Sequence, residues 1–175
     1  MKNSILFLLC LVALGSKAQS VPETYAADFK LVFEAAKKYY KTDKVGEAKD
    51  LSGEFFIKEI GCKASFQNAK SSRLVMDKDE VWNHHVVFEA GTTKDGALAL
   101  LRKFMDATKP LLPANYKETK STNMRYADMF AYTIEFNSEI FAEVAKKPSL
   151  LFGIMEKDGK YTIDIQVMAP VFTFE

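Results

Sequence analysis

The feature that most restricts the fold lies near the C-terminal end. Residues 150–156 and 161–168 are two β-prone runs separated by Asp158-Gly159. That pair suits a type I′ turn, in which both central residues take positive φ. In the second run Tyr161, Ile163, Ile165 and Val167 alternate with Thr162, Asp164 and Gln166. A period of two sends these sets to opposite faces of a strand. The hairpin therefore belongs to an antiparallel sheet with one face covered.

Other segments repeat the pattern. Strands are expected over residues 54–60, 73–76 with an extension back toward Phe66, 81–90 and 126–136. In 81–90, Trp82, His84, Val86, Phe88 and Ala90 share one face, and Val81, Asn83, His85, Val87 and Glu89 the other. In 126–136, Tyr126, Phe130, Tyr132, Ile134 and Phe136 share a face.

Two segments have helical period instead. Tyr25, Phe29, Val32, Phe33, Ala36, Tyr39 and Tyr40 recur at three- and four-residue steps, giving a helix over 24–41. Leu98, Leu101, Phe104, Met105 and Thr108 make a second stripe over about 94–109, with Thr92 as N-cap and Pro110 and Pro113 as stops. Residues 137–147 suit a short helix, and the polar stretches 42–52 and 113–123 suit loops.

The expected class is α+β: an antiparallel sheet of five to seven strands packed on two long helices, in the order α-βββ-α-βββ. The order admits a duplicated αβββ unit. Its competitor is a cystatin-like or NTF2-like curved sheet holding a helix.

The N-terminus carries an address. Lys2 precedes ten apolar residues, 5–14, and Ser16-Lys17-Ala18 then offers small residues around a cleavage point after Ala18. Ten residues are too few to span a bilayer, which takes about 20, but match a signal-peptide core. The expectation is a signal peptide over 1–18, a single domain over 19–175, and a secreted or periplasmic location with no membrane span. Cys10 sits mid-run after Leu9, which speaks against lipidation. Loss of Lys2 and Lys17 turns the formal charge from +1 to −1, too little surplus for a nucleic-acid binder. Cys62 is then the one remaining cysteine, so the domain stands without a disulfide.

No constellation of reactive residues is legible. His84 and His85 are adjacent, and adjacent strand residues face opposite ways, so they cannot share one metal ion. His85 could meet Glu89 and a distant acid such as Asp164. Cys62 could meet a histidine, but neither an oxyanion hole nor a Gly-x-Ser-x-Gly elbow can be read. Glu89 and Glu135 could pair as acid and base, although solvent-face acids are commoner. No metal and no cofactor is expected.

Two functional classes remain. The first is a non-catalytic domain that binds a protein, a peptide or an apolar small molecule through the sheet or the helix–sheet cleft, with Trp82, His84, Tyr39 and Tyr40 as candidate ligand contacts. A homodimer through a sheet edge belongs with it. The second is a small secreted hydrolase with a dispersed site near His84, His85 or Cys62. The first is favoured because no catalytic motif is present.

Overall fold

A computed structural model describes residues 20–53, 55–114, 116–121, 131–136 and 147–170. Helix α1 (Tyr25–Lys37) leads into strands β1 (Lys44–Asp50), β2 (Phe56–Cys62), β3 (Ser71–Asp77) and β4 (Trp82–Gly91). Helix α2 (Lys94–Thr108), with a 3₁₀ turn at Lys109–Leu111, leads into β5 (Tyr116–Ser121), β6 (Ala131–Phe136), β7 (Ser149–Lys157) and β8 (Lys160–Met168). The strands form one antiparallel sheet in the order β1-β2-β3-β4-β8-β7-β6-β5. Two meanders therefore meet at β4 and β8.

The architecture is α+β with an open antiparallel sheet and two helices among the described residues. Eight strands replace the five to seven expected, because two polar stretches read as loops are strands. β1 (KVGEAKD) is exposed along nearly its whole length, and β5 (YKETKS) is equally polar in sequence. Each lies at a sheet edge with a partner on one side only. Neither sequence shows apolar alternation, as expected of an edge strand such as β1 that buries neither face, so periodicity missed both. The order is thus α-ββββ-α-ββββ, not α-βββ-α-βββ.

The helices have 13 and 15 residues, so "long" overstated them. α1 stops at Lys37 instead of 41. Tyr39 and Tyr40 take positive φ, 55° and 53°, and turn the chain out of the helix. Their aromatic side chains still reach inward, which is why they mimicked helical spacing. α2 is capped by Thr93, whose hydroxyl accepts from the Gly96 amide, one residue past the expected Thr92. Its buried stripe is Ala97, Leu100, Leu101, Phe104, Met105 and Thr108, with Leu98 only partly buried. The 137–147 helix and residues 126–130 of the fourth expected strand fall outside the described residues, as do 1–18; Lys147 alone of that helix is described.

The β7–β8 hairpin closes on Asp158 and Gly159, at φ 53° and 70°, between the Lys157–Lys160 pair. Its inward set, Ile163, Ile165 and Val167, joins Leu150, Phe152 and Ile154 of β7 and Val86, Phe88 and Ala90 of β4. Both helices pack on this face, where Tyr25 and Phe29 of α1 meet Phe104 of α2 and Phe66 and Phe88 of the sheet side. The opposite face near the centre is buried too, yet polar: Asn83, His85, Asp164 and Gln166 are each less than one-tenth exposed. Among the described residues no helix is long and apolar enough to cross a membrane.

Candidate functional site

The inner end of β4 gathers the reactive side chains. His84 on β4 faces the core and is fully buried. Its Nε2 lies 2.8 Å from Ser72 Oγ on β3 and 3.7 Å from Cys62 Sγ on β2. Cys62, His84 and Ser72 thus line up across three neighbouring strands on one face. The thiol also lies 3.7 Å from Ser72 O, to which it can donate; which of Nε2 and Ser72 Oγ donates to the other is set by the imidazole tautomer. Among the described residues Nδ1 has no hydrogen-bond partner.

The turn after α1 adds a carboxylate. Tyr39 and Tyr40 in the left-handed region cost strain on the order of 1 kcal/mol each. They drive the Tyr40 ring into the core, 6.1 Å from the His84 ring, with its hydroxyl donating to Val167 O at 2.6 Å. His84 and Val167 are cross-strand partners, so this phenol anchors the turn at the β4–β8 seam. The same turn delivers Asp43. Its Oδ1 accepts from the Ala64 amide at 2.8 Å, and its carbonyl accepts from the Lys63 amide at 2.8 Å. Asp43 is 6% exposed, and its Oδ2 has no partner among the described residues.

Burial sets the protonation states. It drives the His84 imidazole down to about 3, helped by the charge of neighbouring His85. It raises the Cys62 thiol to about 11, and the Asp43 charge adds to that. The Tyr40 phenol is also held well above its ordinary value, chiefly by burial. At neutral pH the cluster is therefore a neutral imidazole, a neutral thiol and a neutral phenol.

The opposite face carries a second polar group. His85 Nε2 lies 2.6 Å from Asp164 Oδ1, a close contact whose angles are not those of a hydrogen bond. The β4–β8 register pairs His85 with Gln166 and Val87 with Asp164, so the contact is a cross-strand diagonal. Gln166 donates to Asp164 at 3.2 Å, the Phe56 ring lies 5.7 Å from the His85 ring, and Arg73, directly across from His85, pairs with Glu59. Glu89 stays out of this group. It is exposed and pairs loosely with Lys70 at 3.6 Å.

A cleft of about 390 Å³ opens elsewhere, between the chain leading into α1, the β2–β3 connection and α2. Phe88, Leu100 and Phe104 form its floor, with Pro22, Lys70 and Glu89 around it. A smaller cleft of about 210 Å³ shares Lys70 and Glu89 and continues past Gly91 to Tyr161.

Of the four side chains expected to contact ligand, Tyr40 and His84 come together in the core. Tyr39 is half-buried with Lys41 Nζ 6.0 Å from its ring centre, and Trp82 is half-buried under Lys44 Nζ at 4.4 Å. None of the four lines the two clefts just described. Sequence reasoning singled out Cys62 and His84 but missed Asp43, which sits in a lysine-flanked turn without any ligand spacing. It also missed the cleft, because Phe88 and Phe104 read simply as core and Leu100 fell outside the expected stripe. No family model, no curated protein and no solved structure matches the chain.

Proposed function

We propose that the chain is an exported, non-catalytic binding domain that takes a small amphipathic ligand in the helix–sheet cleft. The observation that carries this reading is the 390 Å³ cleft with an aromatic and aliphatic floor and a rim bearing one cation, Lys70, beside one anion, Glu89. Its size falls in the range of small-molecule pockets, and its lining combines apolar area with a few charged groups. An apolar tail would lie over Phe88 and Leu100. A head with both charges, or a peptide terminus, would replace the loose Lys70–Glu89 contact. The adjoining cleft toward Tyr161 gives room for a longer ligand.

The competing reading, a small secreted hydrolase near His84, His85 or Cys62, is weakened by the electrostatics. A thiol raised to about 11 beside an imidazole lowered to about 3 is a neutral pair. It holds almost no thiolate for attack at neutral pH. His85 has an acid within reach, yet neither cleft is lined by it.

A homodimer through a sheet edge is disfavoured by the same physics that hid the edge strands. β1 carries Lys44, Glu47, Lys49 and Asp50 and an irregular register between Val45 and Lys49, devices that discourage strand addition. Export with removal of residues 1–18, and a structural repeat of two α-ββββ units joined at β4 and β8, complete the reading.

The test is amide chemical-shift mapping of the 19–175 chain. Octylphosphocholine, octanoate, octylamine and octyl glucoside are added below micellar concentrations. The expected result is a saturable shift at residues 68–70, 88–89 and 100–104, largest for the zwitterion and lost in Leu100→Trp. Shifts scattered over the surface, or unchanged in a folded Leu100→Trp chain, would refute the cleft as the site.

A further inference from the structure

We propose that Asp43, Cys62 and His84 form a metal site for a borderline-soft divalent cation, zinc foremost, buried on the inner face of the sheet. One donor atom from each residue lies within 4.8 Å of the other two. The donors are a sulfur, an imidazole nitrogen and a carboxylate oxygen, the set that zinc takes in tetrahedral sites and that magnesium and calcium do not.

The spacing fits. Bonds of about 2.0–2.3 Å to zinc put tetrahedral ligand atoms about 3.3–3.8 Å apart. The Cys62 Sγ to His84 Nε2 separation is already 3.7 Å. Asp43 lies in a turn rather than a strand, so a side-chain rotation can close what remains. Ser72 Oγ, 2.8 Å from Nε2, is at hydrogen-bond distance and would have to move aside for an ion to reach that nitrogen.

A further observation points to a cation independently of this spacing. It is the unpartnered Oδ2 of Asp43, a buried carboxylate oxygen with no hydrogen bond among the described residues. Asp43 also has no lysine or arginine in ion-pair contact among the described residues. A buried carboxylate left without a counter-charge is costly. Beside it, the fully buried His84 ring presents Nε2 to the thiol at 3.7 Å and to the Ser72 hydroxyl at 2.8 Å.

Binding balances both charge and protons. The Cys62 S–H bond breaks, its proton goes to solvent, and a sulfur–metal bond forms. His84 gives a lone pair with no change of charge, and Asp43 gives a carboxylate oxygen. Thiolate and carboxylate then neutralise a divalent ion, so the buried charge falls from −1 to zero. No oxidation or reduction takes place. Because the cluster joins the α1–β1 turn to β2 and β4, an ion would tie the edge of the sheet to its centre and couple metal binding to folding.

The experiment uses the whole 19–175 chain, reduced and freed of metal by chelation, with cobalt(II) as the visible probe and zinc as competitor. One equivalent of cobalt is expected to give sulfur-to-metal charge-transfer absorption and the visible bands of a tetrahedral ion. Zinc is expected to displace it, with about one proton released per ion at neutral pH. Cys62→Ser should remove the charge-transfer band. Asp43→Asn, which keeps the Ala64 hydrogen bond, should weaken zinc by more than the ~10–100-fold typical of a lost outer-shell partner. His85→Asn, on the other face, should leave both unchanged. A folded wild-type chain with no band overturns the proposal. So does cobalt or zinc binding that survives intact in Cys62→Ser, which would mark an adventitious ion on surface groups. Circular dichroism establishes that each variant is folded, and Asp43→Asn serves where Cys62→Ser is not. The readout is independent of the cleft, so failure of one proposal leaves the other standing.

Discussion

Acidification should unfold the domain through His84, and the size of the effect follows from its burial. The ordinary imidazole value is 6.5, and in the folded chain burial, with the charge of His85, lowers it to about 3. The sign follows from proton uptake. Below 6.5 the unfolded chain binds a proton that the folded chain refuses, so stability is lost as pH falls from 6.5 toward 3 and the loss levels off below that. Each unit of pKa difference corresponds to about 1.36 kcal/mol. By pH 4.5, two units below the ordinary value, the loss is about 2.7 kcal/mol, and the full window corresponds to roughly 5 kcal/mol. A domain of this size holds about 5–15 kcal/mol in all, so the effect is large. The groups facing the ring are the Cys62 thiol, the Ser72 hydroxyl and the Tyr40 ring, with Asp43 close by. Carboxylates elsewhere also titrate in this range, and a comparison removes them. Urea unfolding followed by Trp82 fluorescence is measured from pH 7 to 4.5 for the native chain and for His84→Gln, which cannot protonate. The stability difference between the two chains should shrink by about 2–3 kcal/mol over that range. Curves that fall in parallel, with the difference constant within ~0.5 kcal/mol, would mean that His84 is not held neutral and that the cluster is open to water.

Three more outcomes follow from local geometry. Gly61→Ala would place a Cβ 2.9 Å from Val45 O, and the strain of forcing β1 away should cost about 1–3 kcal/mol in urea titration. It should also loosen Asp43, just upstream of β1. Gly159→Ala meets no atom within 4 Å, so its cost is the positive φ alone. That is about 1 kcal/mol, or about 2–4 °C in Tm. A drop of three times that would point to a lost contact instead. Cys62 should alkylate with iodoacetamide at pH 7 at least ~100-fold more slowly in the folded chain than in urea, since its thiol rises from 9.0 to about 11. Equal rates would place the thiol in an exposed, activated setting.

The parts of the fold legible in the sequence are those where one face of an element meets the core and the other does not. In β8, Ile163, Ile165 and Val167 alternate with polar residues because that face packs on the helices while the other is buried but polar, and Asp158-Gly159 announces its own turn. β1 was illegible because an edge strand with both faces solvated has no contrast to read, and β5 (YKETKS) because its sequence is polar throughout after Tyr116. The end of α1 misled for the opposite reason. Tyr39 and Tyr40 keep an inward aromatic at helical spacing while the backbone has already left the helix. The candidate site was half legible. Cys62 and His84 stood out by residue type, but what joins them is the register of β2, β3 and β4, a long-range pairing that no local pattern encodes. Asp43 depends on two residues at positive φ, and tyrosine is an unexpected choice there. Asp164 and Gln166 read as the solvated side of a strand. Their burial comes from the central place of β8 in the sheet, which the order of elements alone does not give.

The adjacent histidines take opposite roles because β4 passes between two environments. His84 sits among aromatic and aliphatic side chains and stays neutral. His85 faces a carboxylate 2.6 Å away and an arginine one strand over. The two are coupled through the strand, since positive charge on His85 disfavours a proton on His84. A neutral inner imidazole is a lone-pair donor. That is the state required for a metal ligand, and the state least useful to a cysteine nucleophile, which needs its histidine to accept and keep the thiol proton. With Asp43 as a second anionic group beside Cys62, the cluster opposes thiolate formation until a cation arrives to balance both charges. The electrostatics that weaken the hydrolase reading are thus the same ones that favour coordination. The two proposed sites are compatible: an ion at the His84 end of β4 and a ligand in the cleft at Phe88 and Glu89 would occupy separate parts of the strand.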